Sequence, residues 1–197
     1  MYSIGITGGS GAGKTTALQV LGQMGAAVLD CDQIYHALLQ EDAAMQAEIA
    51  AQFPTAVTDG KVQRHILAGL AFGAPAALAD LNQITHQYVR RAVTERLDKL
   101  AQSGTEAVAI EAVALIESGL ANVCDVVIGI TAPPDLRLER ILQRENVTRE
   151  YAEQRIAAQQ PDTFYKAHCN YILENAYQSR EEFRVAAKAF FGGLIAG

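Results

Sequence analysis

Gly8, Gly13, Lys14 and Thr15 satisfy the spacing G-x-x-x-x-G-K-S/T within the run Ile4-Gly5-Ile6-Thr7-Gly8-Gly9-Ser10-Gly11-Ala12-Gly13-Lys14-Thr15-Thr16. An apolar strand pattern precedes this run and a helical one follows, which is the context a nucleotide-phosphate cradle needs. A loop wrapped around phosphate turns successive backbone N–H groups inward, and Gly8, Gly9, Gly11 and Gly13 keep side chains out of that approach. Lys14, in a solvent-facing loop, then sets a point charge beside the β- and γ-phosphates. Thr15 offers its hydroxyl to Mg²⁺, and the helix opening near Gly13 adds its positive end. Ala12 and Thr16 complete the candidate nucleotide contacts. The plain alternative is a glycine-rich strand-to-helix turn carrying an ordinary surface lysine.

Two carboxylates follow in Asp30-Cys31-Asp32, available to a hydroxyl or a metal ion. Either could instead cap the helical segment from Gln33 through Leu39. Glu111 stands at the end of another strand pattern, where it suits a magnesium-bound water, an acceptor hydroxyl or an arginine partner. Arg137, Arg140, Arg144, Arg149 and Arg155 fall close together, and their planar forks suit polyphosphate. A solvated helix face accounts for part of that cluster, with Arg137 and Arg149 expected to be surface charges of little weight.

The elements that position these residues are legible from periodicity. Tyr2 to Ile6 reads as a buried strand, Lys14 to Met24 as a helix and Ala26 to Leu29 as a second strand, which together make a βαβ unit. Ligands of such parallel sheets bind beyond the carboxyl ends of the strands, where the loop, Asp30 and Asp32 all emerge. From Glu41 to Gln102 the strand signal disappears and the pattern turns helical, with breaks at Pro54, Asp59-Gly60, Gly73 and Pro75. Ala76 to Leu100 is one long amphipathic stretch. Strands recur at Ala107 to Ile110, Asp125 to Ile130 and Tyr171 to Leu173. Pro134 opens one helix, Thr148 caps a second running to about Gln160, and Ser179 with Glu182 forms a capping box for the last.

The fold expected is α/β of the P-loop NTPase kind, with a five-stranded, mostly parallel sheet flanked by helices. A single unit is expected, with residues 1–32 and 103–197 as nucleotide-binding core, 33–102 as a helical acceptor-binding insertion and 137–160 as a helical lid. The 197 residues are half hydrophobic and carry a formal net charge of −6, which argues against a general nucleic-acid or acidic-membrane binder. Cys31, Cys124 and Cys169 show neither disulfide nor zinc spacing, and His36, His65, His86 and His168 make no ligand pattern. No secretory leader and no membrane-length apolar run are evident, so the cytoplasm is the expected location.

Further motifs carry a resemblance. Val28-Leu29-Asp30-Cys31-Asp32 resembles the "DAD" segment of dephospho-coenzyme A kinases, and Gly60-Lys61-Val62-Gln63-Arg64 resembles their G-x-hydrophobic-x-R element. Leu81-Asn82-Gln83-Ile84-Thr85-His86 resembles the family's L-x-x-I-x-H. Asn146-Val147-Thr148-Arg149-Glu150, with Glu153, Arg155, Ile156 and Gln159, resembles its lid helix. The chain departs from the family at Val113-Ala114, where Pro-Leu is usual, at Gln87, at Cys169-Asn170 and at Asn175-Ala176-Tyr177 in place of N-x-G.

The resemblance implies transfer of the γ-phosphoryl of ATP to the ribose 3′-hydroxyl of dephospho-coenzyme A, with ATP and Mg²⁺ as co-substrate and ion. It implies Asp32 as the carboxylate that accepts or orients the hydroxyl, and Arg64 and His86 on the acceptor side; Glu111, from its place at the strand end, is counted with them as a substrate-binding candidate. Arg140 becomes a phosphate-reaching lid arginine, and Asn175 lies in the segment by the adenine. A monomer or weak homo-oligomer is expected. Another small-molecule P-loop kinase acting on a nucleoside-like alcohol, or a nucleotide-dependent switch, are the alternatives. No guanine-reading NKxD segment is present to favour the switch.

Overall fold

The computed structural model describes residues 1–58 and 60–196. In chain order the elements are β1 (Tyr2–Gly8), α1 (Lys14–Gln23), β2 (Ala27–Asp30), α2 (Cys31–Glu41), α3 (Ala43–Gln52), β3 (Val57–Thr58), β4 (Lys61–Val62), α4 (Arg64–Gly73), α5 (Pro75–Gln102), β5 (Ala107–Glu111), β6 (Val126–Thr131), α6 (Pro134–Arg144), α7 (Arg149–Ala157), α8 (Asp162–His168), β7 (Tyr171–Glu174) and α9 (Arg180–Ala196). The five-stranded sheet has the order β2-β5-β1-β6-β7. β1 pairs in parallel with both β5 and β6, and β6 with β7.

The central strands are apolar on both faces because helices cover both faces of a parallel sheet. All six residues of β6 are buried. Ala17, Leu18, Val20 and Leu21 of α1 and Phe183, Ala187 and Phe191 of α9 form one buried cluster with Ile4, Ile6, Ile128 and Ile130. Leu138 and Ile141 of α6 meet Ala152 of α7 in a smaller cluster, which binds those two helices into one piece.

The chain divides into two compact units, residues 1–29 with 100–197, and residues 30–99. The second has its own core, in which Leu39, Met45, Ile49, Phe53, Leu67, Leu81 and Tyr88 pack together. Its secondary structure departs from the strandless reading of residues 41–102: β3 and β4 form a short antiparallel hairpin, with Val57 opposite Val62 and Thr58 opposite Lys61. Two residues per strand are too few for alternation to register as a pattern, whereas the turn glycine, Gly60 at φ 73°, was visible. The break read at Asp59 lies outside the described residues.

Local end signals behaved as their chemistry dictates. Pro134 begins α6, and the Thr148 hydroxyl accepts from Tyr151 N–H at the start of α7. Ser179 and Glu182 exchange the two bonds of a capping box, at 3.2 and 3.0 Å. α7 ends at Ala157 rather than near Gln160, which leaves Gln159 in the turn beyond it.

Candidate active site

β1 delivers the chain to Gly8, and α1 starts at Lys14. Gly8, Gly11 and Gly13 hold φ values of 142°, 76° and 112°, a region L side chains rarely adopt. Their smallness has a second cause, which the motif alone did not reveal. A Cβ on Gly8 would stand 2.1 Å from the Ile130 carbonyl oxygen, and one on Gly11 would stand 2.6 Å from that of Arg137. On Gly9 it would meet the Arg137 guanidinium at 2.2 Å, and on Gly13 the Asn175 amide at 2.4 Å. The loop is therefore clasped by β6, α6 and the segment after β7, and protein atoms occupy the room that these glycines leave.

Lys14 is not the solvent-facing side chain expected of it. Only 9% exposed, it donates to the Gly9 carbonyl oxygen at 3.3 Å and pairs with Glu111 at 3.6 Å. Glu111, 5% exposed at the end of β5, sits in register with Ile6 on β1, so sheet pairing brings this carboxylate beside the loop. Thr15 is exposed and Thr16 and Ala12 are buried, so of the α1 hydroxyls Thr15 is the accessible one.

The arginines sort differently from the sequence reading. Arg137, expected at the surface, is 6% exposed. Its Nε donates to the Ser10 carbonyl oxygen at 2.9 Å and its Nη2 to Gln159 Oε1 at 2.6 Å. Burial holds its pKa below the usual arginine value, against weaker opposing effects of Tyr165 and Asp162. Arg140 donates to the carbonyl oxygens of Gly11, Asn175 and Tyr177 at 3.1, 3.3 and 2.7 Å, and to Asn175 Oδ1 at 3.1 Å. The spacing of three places both guanidinium groups on one face of α6, a signal that was open to sequence reading. Arg149 is exposed and faces Glu153 at 3.6 Å, as a solvated helix pair does. Arg155 and Arg144 both bond Glu145 in the turn between α6 and α7, and lower its pKa against its partial burial.

Asn175 is 3% exposed, with its amide N–H donating to the Ala12 carbonyl oxygen at 2.8 Å while its Oδ1 holds Arg140. Both ends of the amide thus brace the loop. Gln159, named above only as part of the lid pattern, bonds Ser10 twice, accepting from its N–H and donating to its hydroxyl, each at 2.8 Å. Burial pushes the Cys124 and Cys169 thiols up to about 12 and about 11, so neither is a thiolate nucleophile at neutral pH.

Within residues 30–99, Asp30 is the helix cap. Its Oδ1 accepts from the N–H groups of Asp32 and Gln33 at 3.0 and 3.1 Å. The Asp32 side chain is exposed and is not the one that closes the end of α2. Arg64, the exposed first residue of α4, donates to His36 Nε2 at 2.6 Å. Tyr35 beside them has its pKa raised, chiefly by burial, with Arg64 acting in the opposite sense. The Arg64–His36 contact was not legible in the sequence because the two residues lie 28 positions apart and no local spacing marks the pair. His86 lies half-buried in α5.

A model of the dephospho-CoA kinase family matches residues 2–181. The chain belongs to that family. It is 36% identical to the dephospho-CoA kinase of Dehalococcoides mccartyi over 177 residues, 89% of each chain. With the Latilactobacillus sakei enzyme it shares 34% over 194 residues, 98% of this chain and 96% of the other. Among solved structures, one from Thermus thermophilus superposes with a TM-score of 0.80 at 32% identity, covering 98% and 97% of the two chains. The Campylobacter jejuni dephospho-CoA kinase gives 0.70 at 26%, covering 98% and 96%. A shikimate kinase from Acinetobacter baumannii, at 17% identity and 0.57, shares the fold. The chain is therefore a P-loop kinase of coenzyme A biosynthesis that uses ATP as co-substrate. Among the described residues no helix is long and apolar enough to cross a membrane.

Proposed function

We propose that the chain transfers the terminal phosphoryl group of ATP to the ribose 3′-hydroxyl of dephospho-coenzyme A, with the phosphate loop and the α6 arginines stabilising charge and Asp32 receiving the hydroxyl proton. The P–O bond to the departing ADP breaks as the bond to the 3′-oxygen forms, so each residue need only position a group or stabilise charge. The observation that carries this reading is the phosphate loop itself. Its positive groups are held by the protein's own atoms: Lys14 between Gly9 and Glu111, and Arg137 and Arg140 on neutral oxygen acceptors. Preorganised positive charge of this kind is the largest lever on such a transition state.

Gly8, Gly9, Gly11, Ala12, Gly13, Lys14, Thr15 and Thr16 hold the phosphates on this reading, Arg140 adds charge, and Asn175 acts by bracing them. Asp32 suits the acceptor hydroxyl because Asp30 makes the capping bonds of α2. Arg64 and His86 bind the acceptor, and Glu111 orients Lys14. Residues 33–102 serve as the acceptor region, 1–32 with 103–197 as the nucleotide region and 137–160 as the lid, a reading supported by two compact units with separate cores.

The donor chemistry fits Mg²⁺. Thr15 is an exposed hydroxyl, and no group of three His, Cys, Asp or Glu suited to a metal exists among the described residues. An ion with few protein donors that relies on substrate phosphates is the usual magnesium arrangement. Bound there, it would neutralise phosphate charge. We place the reaction in the cytoplasm, in keeping with its use of ATP, and assign a monomer or weak homo-oligomer. ADP formation measured with and without dephospho-coenzyme A tests the reading. Strong dependence on that acceptor is expected, and equal rates with nucleosides or with water would overturn it.

A further inference from the structure

The amide oxygen of Gln159 accepts two hydrogen bonds, from Ser10 N–H at 2.8 Å and from Arg137 Nη2 at 2.6 Å. A backbone N–H of a phosphate loop and a guanidinium are the donors an anionic oxygen prefers, and here a neutral amide holds both. The amide is turned that way by its other end, which donates to the Ser10 hydroxyl at 2.8 Å. Arg137 is 6% exposed and its hydrogen-bond acceptors, Gln159 Oε1 and the Ser10 carbonyl, are uncharged. A buried cation held by neutral acceptors gains from the arrival of an anion. Gln159 follows α7, and α7 is tied to α6 through Leu138, Ile141 and Ala152 and through the Arg155–Glu145 pair.

We propose that Ser10 N–H and the Arg137 guanidinium form an oxyanion site for the terminal phosphate of ATP, in which the Gln159 amide oxygen is a place-holder that withdraws when nucleotide binds. The inference rests on the kinase reading of the phosphate loop and deepens it: Arg137 distinguishes ATP from ADP, and the turn after α7 reports which is present. Handing Ser10 N–H and Arg137 to the phosphate releases both bonds that Gln159 accepts. Its remaining bond is to the Ser10 hydroxyl.

Titration of the full chain with ATP and with ADP, without acceptor, tests this through the ratio of the two affinities. Gln159→Ala removes the competitor and is expected to raise the preference for ATP over ADP at least threefold. Arg137→Gln is expected to lower that preference about tenfold, and Arg137→Lys to restore part of it by returning the charge. A simple brace predicts an unchanged ratio for Gln159→Ala, since losing a brace weakens both nucleotides alike. An unchanged or lower ratio in Gln159→Ala overturns the inference. So does an unchanged ratio in a folded Arg137→Gln, and if that variant fails to fold, Gln159→Ala decides alone. Wild-type protein that bound neither nucleotide would instead remove the kinase reading itself.

Discussion

Around the phosphate loop Lys14, Glu111, Arg137 and Asn175 are buried among hydrogen-bond and ion-pair partners, whereas in residues 30–99 Asp32 and Arg64 are exposed. Arg137 and Arg140 together make six hydrogen bonds to loop, turn and C-terminal atoms, two and four respectively. Arg64 is exposed, with His36 Nε2 as its hydrogen-bond acceptor, and Asp32 is exposed at the start of α2. On the reading proposed above, the difference follows from what each side must do. A phosphate cradle gains from donors fixed before the charge develops, because reorganisation at the moment of reaction costs rate. A group that accepts a proton from an incoming hydroxyl must remain open to it.

The contrast is broken most severely at Lys14. We expect Lys14→Ala to lower turnover by about a hundredfold to a thousandfold. Because Glu111 would then be buried without this partner, stability should also fall, by about 3 kcal/mol. The double variant Lys14→Ala with Glu111→Gln should recover the stability and not the activity, as denaturant melts and phosphorylation assays would show. Near wild-type turnover of Lys14→Ala at saturating ATP would refute the assignment of the loop.

On the exposed side the matching test is Asp32→Asn. Turnover should fall roughly a hundredfold while ATP affinity and melting temperature stay unchanged, as expected for loss of a general base that supports no packing. Since Asp30 holds the cap, a stability loss at Asp32 is not expected from that source. A rate near wild type would take Asp32 out of the mechanism.

Gly13→Ala probes the clasp directly. Its φ of 112° and the 2.4 Å approach to the Asn175 amide require the loop to shift, at a cost of about 1–3 kcal/mol, with a weakened ATP affinity. Normal stability together with normal ATP binding would show that the loop yields more readily than this packing implies. Arg149→Ala sharpens the comparison from the other end. As one partner of an exposed i,i+4 pair, it should change stability by less than about 0.5 kcal/mol and leave turnover unaltered.

The smallest effect is one of pH. Asp125 accepts from Ser3 N–H and Ser3 Oγ, both at 2.7 Å, and these bonds lower its pKa. A carboxylate whose folded pKa is depressed adds stability that is fully present above its unfolded value, about 3.9, and is lost as pH falls through the folded value. Asp125→Asn should therefore flatten the acid limb of the stability profile below about pH 4. An acid limb identical to wild type would mean that the Ser3 bonds carry no linkage.

What the sequence by itself determined were features written in local spacing. The loop glycines with Lys14 and Thr15, the βαβ order, Pro134 at the start of α6, the Thr148 cap and the Ser179–Glu182 box each depend on residues within a few positions of one another, where backbone geometry leaves little choice. Tertiary structure alone decided the partners. The bonds that join Ser10 to Gln159, Ser10 to Arg137 and Ala12 to Asn175 span 149, 127 and 163 positions, and no periodicity encodes a pairing at that distance. For the same reason Arg137 read as a surface charge: the short, mostly polar helix α6 signals exposure from its own composition, and only the close approach of the loop, permitted by Gly9 and Gly11, buries its arginine.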